Sequence, residues 1–409
     1  MSSSDFERFG AAEHGVRWAL SNLPDVTIDS KGVRASALDV LPAPLPGAEG
    51  PDDWSLKFSK GSVAVLSNSA VGTICAILEL SSMLRGDRHA NVARRLKFRT
   101  RNYKHEMRIR PDDPRSVLRY TDAMWESLVR QIVGRQFNGL VIYPSSQHPF
   151  EHILDYKEYS DVVGTTDADR TAIREALCRM LSTAHRYGLT TFMQHYVGHF
   201  PKELGEQLDF QETPNGLLST VEHPQVYRYS AYCYREIFRQ LPDLDGLYFN
   251  FESSRDFKLV LTAAIPEFAK MEKKPVCVYR LWGASSVEGV RSIVNAAKAA
   301  GSRVILGHKI ADTSDTYHHP KADSRVMEWH KRLPGQEFMF LIGPCHNCLL
   351  HSGLGAEHTS WPPGVRLDST IPTVKNQPSS DAAADEPEKA EDAAGRIPVT
   401  ILYNSLTSD

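Results

Sequence analysis

Cysteine is scarce in this chain, and the few cysteines are scattered. Six occur among 409 residues, most of them within apolar runs. Small secreted domains held together by disulfides have densely spaced cysteines, so a disulfide scaffold is excluded and reduced thiols are predicted. The N-terminal stretch MSSSDFERFGAAEHG also lacks the apolar core of a secretory signal. Together these absences predict a cytoplasmic protein.

Long apolar runs, an excess of charge and nucleotide-binding motifs are also missing. No stretch reaches the roughly 18 apolar residues of a membrane-spanning helix. The formal net charge is −3, and no basic run would attract nucleic acid or an anionic membrane. No predicted strand is followed by G-x-G-x-x-G or by a Walker loop. The sequence therefore predicts no membrane, nucleic-acid or cofactor partner, and it does not indicate an oligomeric state.

Strand and helix patterns alternate repeatedly after about residue 96. Helical periodicity separates seven predicted strands, which cover 98–109, 139–143, 189–193, 247–251, 276–279, 303–306 and 337–342. The helices are predicted at 117–133, 169–187, 224–239, 287–300 and 323–332. This many strand–helix units favour an α/β fold with a (β/α)8-type TIM barrel, complete or incomplete, over an open doubly wound sheet.

Residues 1–95 have the pattern of a small α/β domain that precedes the barrel. Strands are predicted at 26–28, 54–58 and 62–66, with the Pro/Gly-rich loop LPAPLPGAEGPDD between the first two. Apolar residues recur at helical spacing in SAVGTICAILELSSMLRG, where Gly86 ends the helix. No catalytic set converges in this region, so a supporting role is predicted.

The C-terminal region begins with low complexity. Residues 373–396 are acidic and rich in alanine, which predicts a disordered linker after a barrel domain at 96–372. Residues 397–409 contain the apolar run IPVTILY, which is a C-terminal strand or a tail. The eighth barrel unit is therefore missing, abbreviated or completed by this segment.

The stretch from Asp243 to Ser254, DLDGLYFNFESS, carries the clearest catalytic candidate. Turn residues precede the apolar run at 247–251, which predicts a buried strand, and Glu252 follows it. Barrel enzymes place their chemistry at the carboxyl ends of strands. A cap or surface role for Glu252 is the competing interpretation.

Polar and aromatic residues collect after the other predicted strands too. Aromatic rings that stack on sugars, together with groups that bind hydroxyls, are what a carbohydrate cleft requires. The candidate substrate-binding residues are Arg108, Tyr143, His148, His195, Tyr196, Asn250, Arg280, Trp282, His308 and Lys309. The sequence therefore predicts a carbohydrate substrate.

These features resemble glycoside hydrolases of the α-glucuronidase (family 67) and β-hexosaminidase (family 20) type. The helix SAVGTICAILELSSMLR is similar to the segment that ends their accessory domain, and RTRNYKHEMRI is similar to their first barrel strand. The resemblance implies an N-terminal α/β domain before a barrel. It also implies that Glu252 is the acid after the fourth strand and that Lys309 and Asp312 match a lysine–aspartate pair after the sixth.

The chain departs from these families at two places. The hexosaminidase Asp-Glu pair is absent, because the run Asn250-Phe251-Glu252 offers one carboxylate. No carboxylate follows the seventh strand, where the sequence reads GPCHNC. Both departures concern the second catalytic carboxylate.

Glycoside hydrolysis needs an acid with a raised pKa and a second carboxylate as base or nucleophile. Aromatic neighbours of Glu252 would desolvate it and raise its pKa, so Glu252 is the predicted acid. Asp312 is the predicted second carboxylate. Arg108, Arg280 and Lys309 are predicted to hold a uronate or sulfate group, or to pair with carboxylates.

Two other functions are compatible with the same residues. The first is a non-catalytic carbohydrate-binding barrel that kept its aromatic residues and lost the second carboxylate. The second is a metal-dependent barrel enzyme, because Cys345-x-x-Cys348-x-x-His351 and His195-x-x-x-His199 have the ligand types of a zinc site. Nothing in the sequence specifies the sugar, the linkage or the stereochemical outcome.

Overall fold

The computed structural model of the chain contains two sheets, described here for residues 8–342 and 399–405. Within the first range the description omits 30–31, 97–98, 114–115, 145, 147, 209–222, 252–253, 281–285, 310–328 and 330. The chain forms two compact units. Unit 1 consists of Met1–Tyr103, Asp122–Leu140 and Ser182–Thr190, and unit 2 consists of Lys104–Thr121, Val141–Leu181 and Thr191–Asp409. The predicted domain boundaries at 95 and 372 stay predictions.

Unit 1 contains a six-stranded sheet in the order β1-β2-β3-β5-β4-β6. Its strands are β1 (Thr27–Asp29), β2 (Gly32–Ala35), β3 (Leu38–Ala43), β4 (Trp54–Ser59), β5 (Ser62–Ser67) and β6 (Val92–Arg94). Helices α1 (Glu13–Ser21) and α2 (Ala70–Arg85) belong to the same unit. The predicted helix is confirmed as α2. It begins where the Ser69 hydroxyl accepts a hydrogen bond from the backbone N–H of Gly72.

Strand β3 occupies residues that the sequence predicts as loop. It runs into the Pro/Gly-rich stretch through Pro42 and Ala43. Pro42 pairs with Val65 of β5, but the pairing of β3 with β2 ends at Val40. A proline lacks the N–H through which an interior strand residue bonds to one of its two neighbouring strands. The sheet accepts Pro42 because only one neighbour pairs with the chain at this position.

A buried ion pair anchors unit 1. Arg101 Nη2 lies 2.7 Å from Asp52 Oδ2, and both side chains are at most 5% exposed. Asn138 Nδ2 donates to the same oxygen at 2.6 Å, and Ser69 donates to the other oxygen of Asp52 at 2.6 Å. Full hydrogen bonding of this kind is what allows a charge to be buried.

The second sheet has the strand order of a closed parallel barrel. The order around the ring is β10-β11-β12-β13-β14-β7-β8-β9. Its strands are β7 (Thr100–Glu106), β8 (Gly139–Tyr143), β9 (Thr190–Tyr196), β10 (Gly246–Asn250), β11 (Val276–Arg280), β12 (Val304–Lys309), β13 (Glu337–Ile342) and β14 (Val399–Ser405). All seven strands predicted from the alternation are confirmed.

The C-terminal segment supplies the eighth position of the ring. Strand β14 pairs with β13 in parallel, with Phe340 opposite Ile401. This pairing is the one that the third sequence-based alternative, completion of the barrel by the C-terminal segment, requires. The predicted linker at 373–396 lies outside the described residues.

Side chains from five neighbouring strands form the core inside this sheet. Val141, Phe192, Tyr248, Val278 and Ile305 come from β8 to β12 in turn and are almost fully buried. Strand β10 begins at Gly246. Glycine is needed there because a Cβ would clash with the backbone carbonyl of Val276 on β11. Successive residues of a strand point to opposite faces. The core residues therefore identify which face of each strand is inner.

The helices of the described part lie between the strands along the chain. They are α3 (Asp122–Gly134), α4 (Asp167–His185), α5 (Lys202–Gln207), α6 (Pro224–Gln240), α7 (Ser254–Leu259), α8 (Ile265–Lys270) and α9 (Val287–Ala299). The predicted helices at 117–133, 169–187, 224–239 and 287–300 correspond to α3, α4, α6 and α9. The predicted helix at 323–332 lies largely outside the described residues.

The helical segment after β10 was not predicted. A π-helical turn, Val260–Ala264, separates α7 from α8. Pro266 follows this turn and has no N–H to donate to the carbonyl of Thr262, so the regular α-helical bonding is interrupted. Among the described residues, none of the helices is both long and apolar enough to cross a membrane.

Candidate active site

Five consecutive barrel strands end on polar residues that share the inner face. The last residues of β7 to β11 are Glu106, Tyr143, Tyr196, Asn250 and Arg280. Asn250 lies opposite both Tyr196 and Arg280 in the register. Tyr143, Tyr196, Asn250 and Arg280 are each two or four residues beyond an inner-face core residue, so alternation places them on that face. We call these five residues the strand-end layer.

Direct contacts connect the strand-end layer. Arg280 Nη1 donates to Asn250 Oδ1 at 3.3 Å. The rings of Tyr143 and Tyr196 have centroids 6.4 Å apart. The ammonium of Lys104 lies 4.3 Å from the ring centroid of Tyr143, a cation–π contact. The layer therefore combines two aromatic hydroxyls, an amide and fixed positive charge.

Tyr143 remains a neutral phenol in this environment. Burial raises its pKa above the ordinary value, the neighbouring Tyr196 and Glu106 raise it further, and Arg280 opposes them. A neutral phenol both donates and accepts hydrogen bonds. Tyr143 therefore presents both a hydrogen-bond donor and an acceptor at the end of β8.

Arg108 is held between two carboxylates at the edge of the layer. Its Nη2 lies 3.9 Å from Glu106 Oε1, and its Nε lies 3.9 Å from Asp113 Oδ2. The side chains of Arg108 and Glu106 are 36% and 37% exposed. Water-exposed ion pairs at this distance contribute little to stability. Arg108 is therefore accessible at the edge of the layer.

Beneath the strand-end layer two buried polar side chains lie among the apolar core residues. The buried Gln194 and Tyr248 lie opposite each other in the register, two residues before Tyr196 and Asn250. Gln194 Oε1, Tyr248 Oη and Asn250 Nδ2 make no hydrogen bond to another described residue. Burial raises the pKa of Tyr248, while the charge of Arg280 opposes the rise. Arg280 is therefore close enough to influence this deeper layer.

His148 and His195 lie away from the strand-end layer. His195 follows Gln194 and occupies the outer face of β9, where its Nε2 lies 3.2 Å from the hydroxyl of Tyr234 on α6. His148 Nε2 lies 2.8 Å from the hydroxyl of Tyr229 on the same helix. Both side chains are buried, and burial lowers the pKa of His148 to about 4 and of His195 to about 3. Both histidines therefore pack against the tyrosines of α6, and the substrate contact predicted for them stays a prediction.

The alternation of side chains along β9 would have distinguished Tyr196 from His195 on the basis of the sequence. Tyr196 and His195 are adjacent, so they point to opposite faces, and only one of them can belong to the barrel mouth. Lys104 was missed for the related reason that it is not at a strand end. It lies two residues before Glu106 and therefore on the same face.

Several predicted site residues lie outside the described part of the chain. These are Glu252, Trp282 and Asp312. The backbone of His308 and Lys309 belongs to β12, but their side chains are outside the description. The roles predicted for these five residues stay predictions.

The metal hypothesis gains no support from the described residues. No group of three His, Cys, Asp or Glu side chains among them is placed to hold a metal ion. Gly198 adopts a positive φ of 85° between His195 and His199, so the two histidines do not have helical spacing. Cys345, Cys348 and His351 lie outside the described part.

Comparison with known proteins identifies similar folds. No family model and no curated protein matches the chain. A GH138 enzyme targeting pectin rhamnogalacturonan II is similar in structure, with a TM-score of 0.66 and 12% identity over 96% of this chain and 44% of that chain. The GH20 β-N-acetylhexosaminidase from Streptomyces coelicolor A3(2) has a TM-score of 0.50 and 11% identity over 81% of this chain and 68% of that chain.

These similarities establish a fold shared with glycoside hydrolases. This chain spans 44% of the length of the GH138 enzyme. At 11–12% identity the likeness concerns the fold alone and does not assign the chain to family 67 or family 20.

Proposed function

We propose that this chain is a (β/α)8-type barrel that hydrolyses glycosidic bonds in an oligo- or polysaccharide. The observation that carries the proposal is the strand-end layer, in which five neighbouring strands of a glycoside-hydrolase-like fold end on Glu, Tyr, Tyr, Asn and Arg. The carboxyl ends of barrel strands are where enzymes of this fold bind their substrates. The layer has the aromatic surfaces and hydroxyl-binding groups that sugars require.

In this proposal Glu252 is the acid that protonates the leaving oxygen. It follows β10 by two residues, directly after a strand whose last residue belongs to the layer. Asp312 is the second carboxylate proposed from the sequence. Arg280, Tyr143, Tyr196 and Asn250 bind the sugar, with Arg108 and Lys309 as further cationic contacts.

An anionic sugar is the substrate class that this proposal favours. Arg280 and Lys104 bring positive charge to the layer, and Arg108 lies at its edge. Guanidinium groups bind carboxylates and sulfates with two parallel hydrogen bonds. The structurally similar GH138 enzyme targets pectin rhamnogalacturonan II, so acidic pectic oligosaccharides are suitable first substrates.

The test compares turnover and binding in the wild type and in Glu252→Gln. We expect the full chain to hydrolyse 4-nitrophenyl uronides or acidic pectic oligosaccharides. Loss of the acid should slow release of an unactivated leaving group by about 10²-fold or more, because general acid catalysis contributes about 10²–10⁴-fold. Affinity for the sugar, measured by calorimetry, should be preserved.

Glu288→Gln is the matched control, because Glu288 is an exposed glutamate in the first turn of α9. This variant should keep wild-type turnover. Sugar binding with equal, negligible turnover in the wild type and in Glu252→Gln would instead support the non-catalytic carbohydrate-binding barrel.

A further inference from the structure

Glu106 differs from every other residue that ends a barrel strand. The eight strands end on Glu106, Tyr143, Tyr196, Asn250, Arg280, Lys309, Ile342 and Ser405. Glu106 is the acidic member of this set. A carboxylate at this position lies at the end of the barrel where the chemistry of such folds takes place.

The side chain of Glu106 belongs to the inner face. Lys104 lies two residues earlier and contacts the ring of Tyr143, which is itself on the inner face. Alternation along β7 therefore places Glu106 on that face as well. Glu106 is also close enough to Tyr143 for its charge to help raise the pKa of that phenol.

The side chain of Glu106 is exposed to water, whereas that of the acidic residue Asp256 is buried. Its side chain is 37% exposed, and Arg108 lies beside it at 3.9 Å. Asp256, which follows β10 along the chain, is 2% exposed and lies near Tyr234 of α6. Glu106 can therefore reach a bound water molecule in the barrel mouth.

The order of the strands around the ring bears on whether Glu106 would act as a base on water or as a nucleophile. Strands β8 and β9 separate β7 from β10, after which the proposed acid follows. Neighbouring strands lie about 4.8 Å apart, so the backbone ends of β7 and β10 are roughly 10 Å or more from each other. Inverting glycosidases have carboxylates about 6.5–9.5 Å apart, with room for water, whereas retaining enzymes need about 5–5.5 Å. This ring order leaves room for a water molecule between the two strand ends, and a base that activates water implies inversion.

We propose that Glu106 is the general base of the hydrolysis, in the role that the sequence suggests for Asp312. This inference rests on the proposed function. Glu106 takes a proton from water as the water oxygen forms a bond to the anomeric carbon. The glycosidic C–O bond breaks with its electron pair on the leaving oxygen, which receives the proton of the acid. Glu106 gains one proton and the acid loses one. The products are the free sugar and the alcohol, and the total number of protons is unchanged.

The test uses the full chain with 4-nitrophenyl uronides and unactivated pectic oligosaccharides as probes. Glu106→Gln should lose at least about 10²-fold in kcat on both substrates, because a good leaving group does not replace the base. Glu252→Gln should lose much less on the activated substrate. Proton NMR of the first product should show inversion at the anomeric carbon.

Asp113→Asn is the matched control for Glu106→Gln. Asp113 is a carboxylate beside the same arginine at the same 3.9 Å, but it lies in the loop after β7. This variant should keep kcat within about threefold, and calorimetry should show that Glu106→Gln still binds the sugar.

The outcomes separate this inference from the proposed function. A wild type without turnover on any glycoside contradicts the proposed hydrolysis itself. Turnover that is lost in Asp312→Asn but kept in Glu106→Gln contradicts the role of Glu106 alone, and so does retention of configuration. Loss of turnover in Glu106→Gln and Asp113→Asn alike also contradicts it, because the effect would then follow the pairing with Arg108.

Discussion

Arg280 and Asn250 join the ends of two adjacent barrel strands through a hydrogen bond of 3.3 Å. Asn250 is fully buried, whereas Arg280 is only partly buried. The amide therefore holds the guanidinium at the boundary between the barrel interior and the mouth. A cation fixed in this way needs little reorganisation to bind an anionic group.

Replacing Arg280 with glutamine should reduce the affinity for an acidic sugar more than the affinity for its neutral counterpart. Hydrogen bonds to charged groups contribute about 1.5–3 kcal/mol, so the dissociation constant for a uronic acid should rise about 10-fold or more. The neutral sugar should bind within about threefold of the wild type. Calorimetric titration with glucuronic acid and glucose, and with galacturonic acid and galactose, measures both.

Arg303→Gln is the control for the Arg280 variant. Arg303 lies just before β12, at the opposite end of the strands, where it pairs with Glu337 at 2.6 Å. We expect no change in affinity for either sugar. Equal losses for acidic and neutral sugars in Arg280→Gln would show that Arg280 does not recognise the anionic group.

The buried pair of Arg101 and Asp52 should dominate the stability of unit 1. Asp52→Asn removes the carboxylate charge that faces the buried guanidinium of Arg101. Breaking a buried pair in this way costs about 3–5 kcal/mol. Denaturant unfolding followed by fluorescence should show this loss as a shift of the unfolding midpoint.

Asp39→Asn gives the exposed counterpart of the same experiment. Asp39 pairs with Arg34 at 3.1 Å, but the two side chains are 58% and 65% exposed. Surface pairs contribute about 0–1 kcal/mol, so the unfolding midpoint should hardly move. Equal shifts in the two variants would mean that burial does not set the contribution of the Asp52 pair.

Three buried histidines should make unit 2 sensitive to acid. Burial lowers the pKa of His105 and His148 to about 4 and that of His195 to about 3. In the unfolded chain a histidine binds its proton near pH 6.5, so proton uptake between about pH 6.5 and 4 favours unfolding. The free energy of unfolding should fall across this window, and for His195 the fall should continue to about pH 3.

The variant His195→Gln should lessen this pH dependence. Each buried histidine contributes on the order of 1–3 kcal/mol to the fall. Urea unfolding at pH 7, 5 and 4 measures the effect, and His89→Gln serves as the control because His89 is exposed. A pH dependence that is unchanged in His195→Gln would contradict the neutral, buried state of His195.

The strand positions could be predicted from the sequence because each strand is a short apolar run bounded by turn residues. The run at 247–251 and the segment that became β14 both show this pattern. The position of β14 in the ring could not be predicted, since a long low-complexity stretch separates it from β13. Only strand pairing identifies it as the eighth strand.

The sequence indicates which residues lie at the ends of the strands, but not which face of the sheet each side chain occupies. Tyr143, Tyr196, Asn250 and Arg280 lie together because each is the last residue of its strand. His195 lies on the outer face of β9, which counting residues after a strand does not reveal because it ignores the alternation of side chains. The helix break before Pro266 also depends on hydrogen bonds that apolar periodicity does not reveal.

The most direct test of the central claim is a crystal structure of Glu252→Gln with a bound acidic pectic oligosaccharide. The account predicts a sugar ring in the barrel mouth, with its anionic group within about 3.2 Å of the Arg280 guanidinium and a hydroxyl within hydrogen-bond distance of Tyr143 or Tyr196. Glu106 should face the anomeric carbon across one water molecule. A sugar bound away from the strand-end layer, or no sugar bound at saturating concentration, would contradict the account.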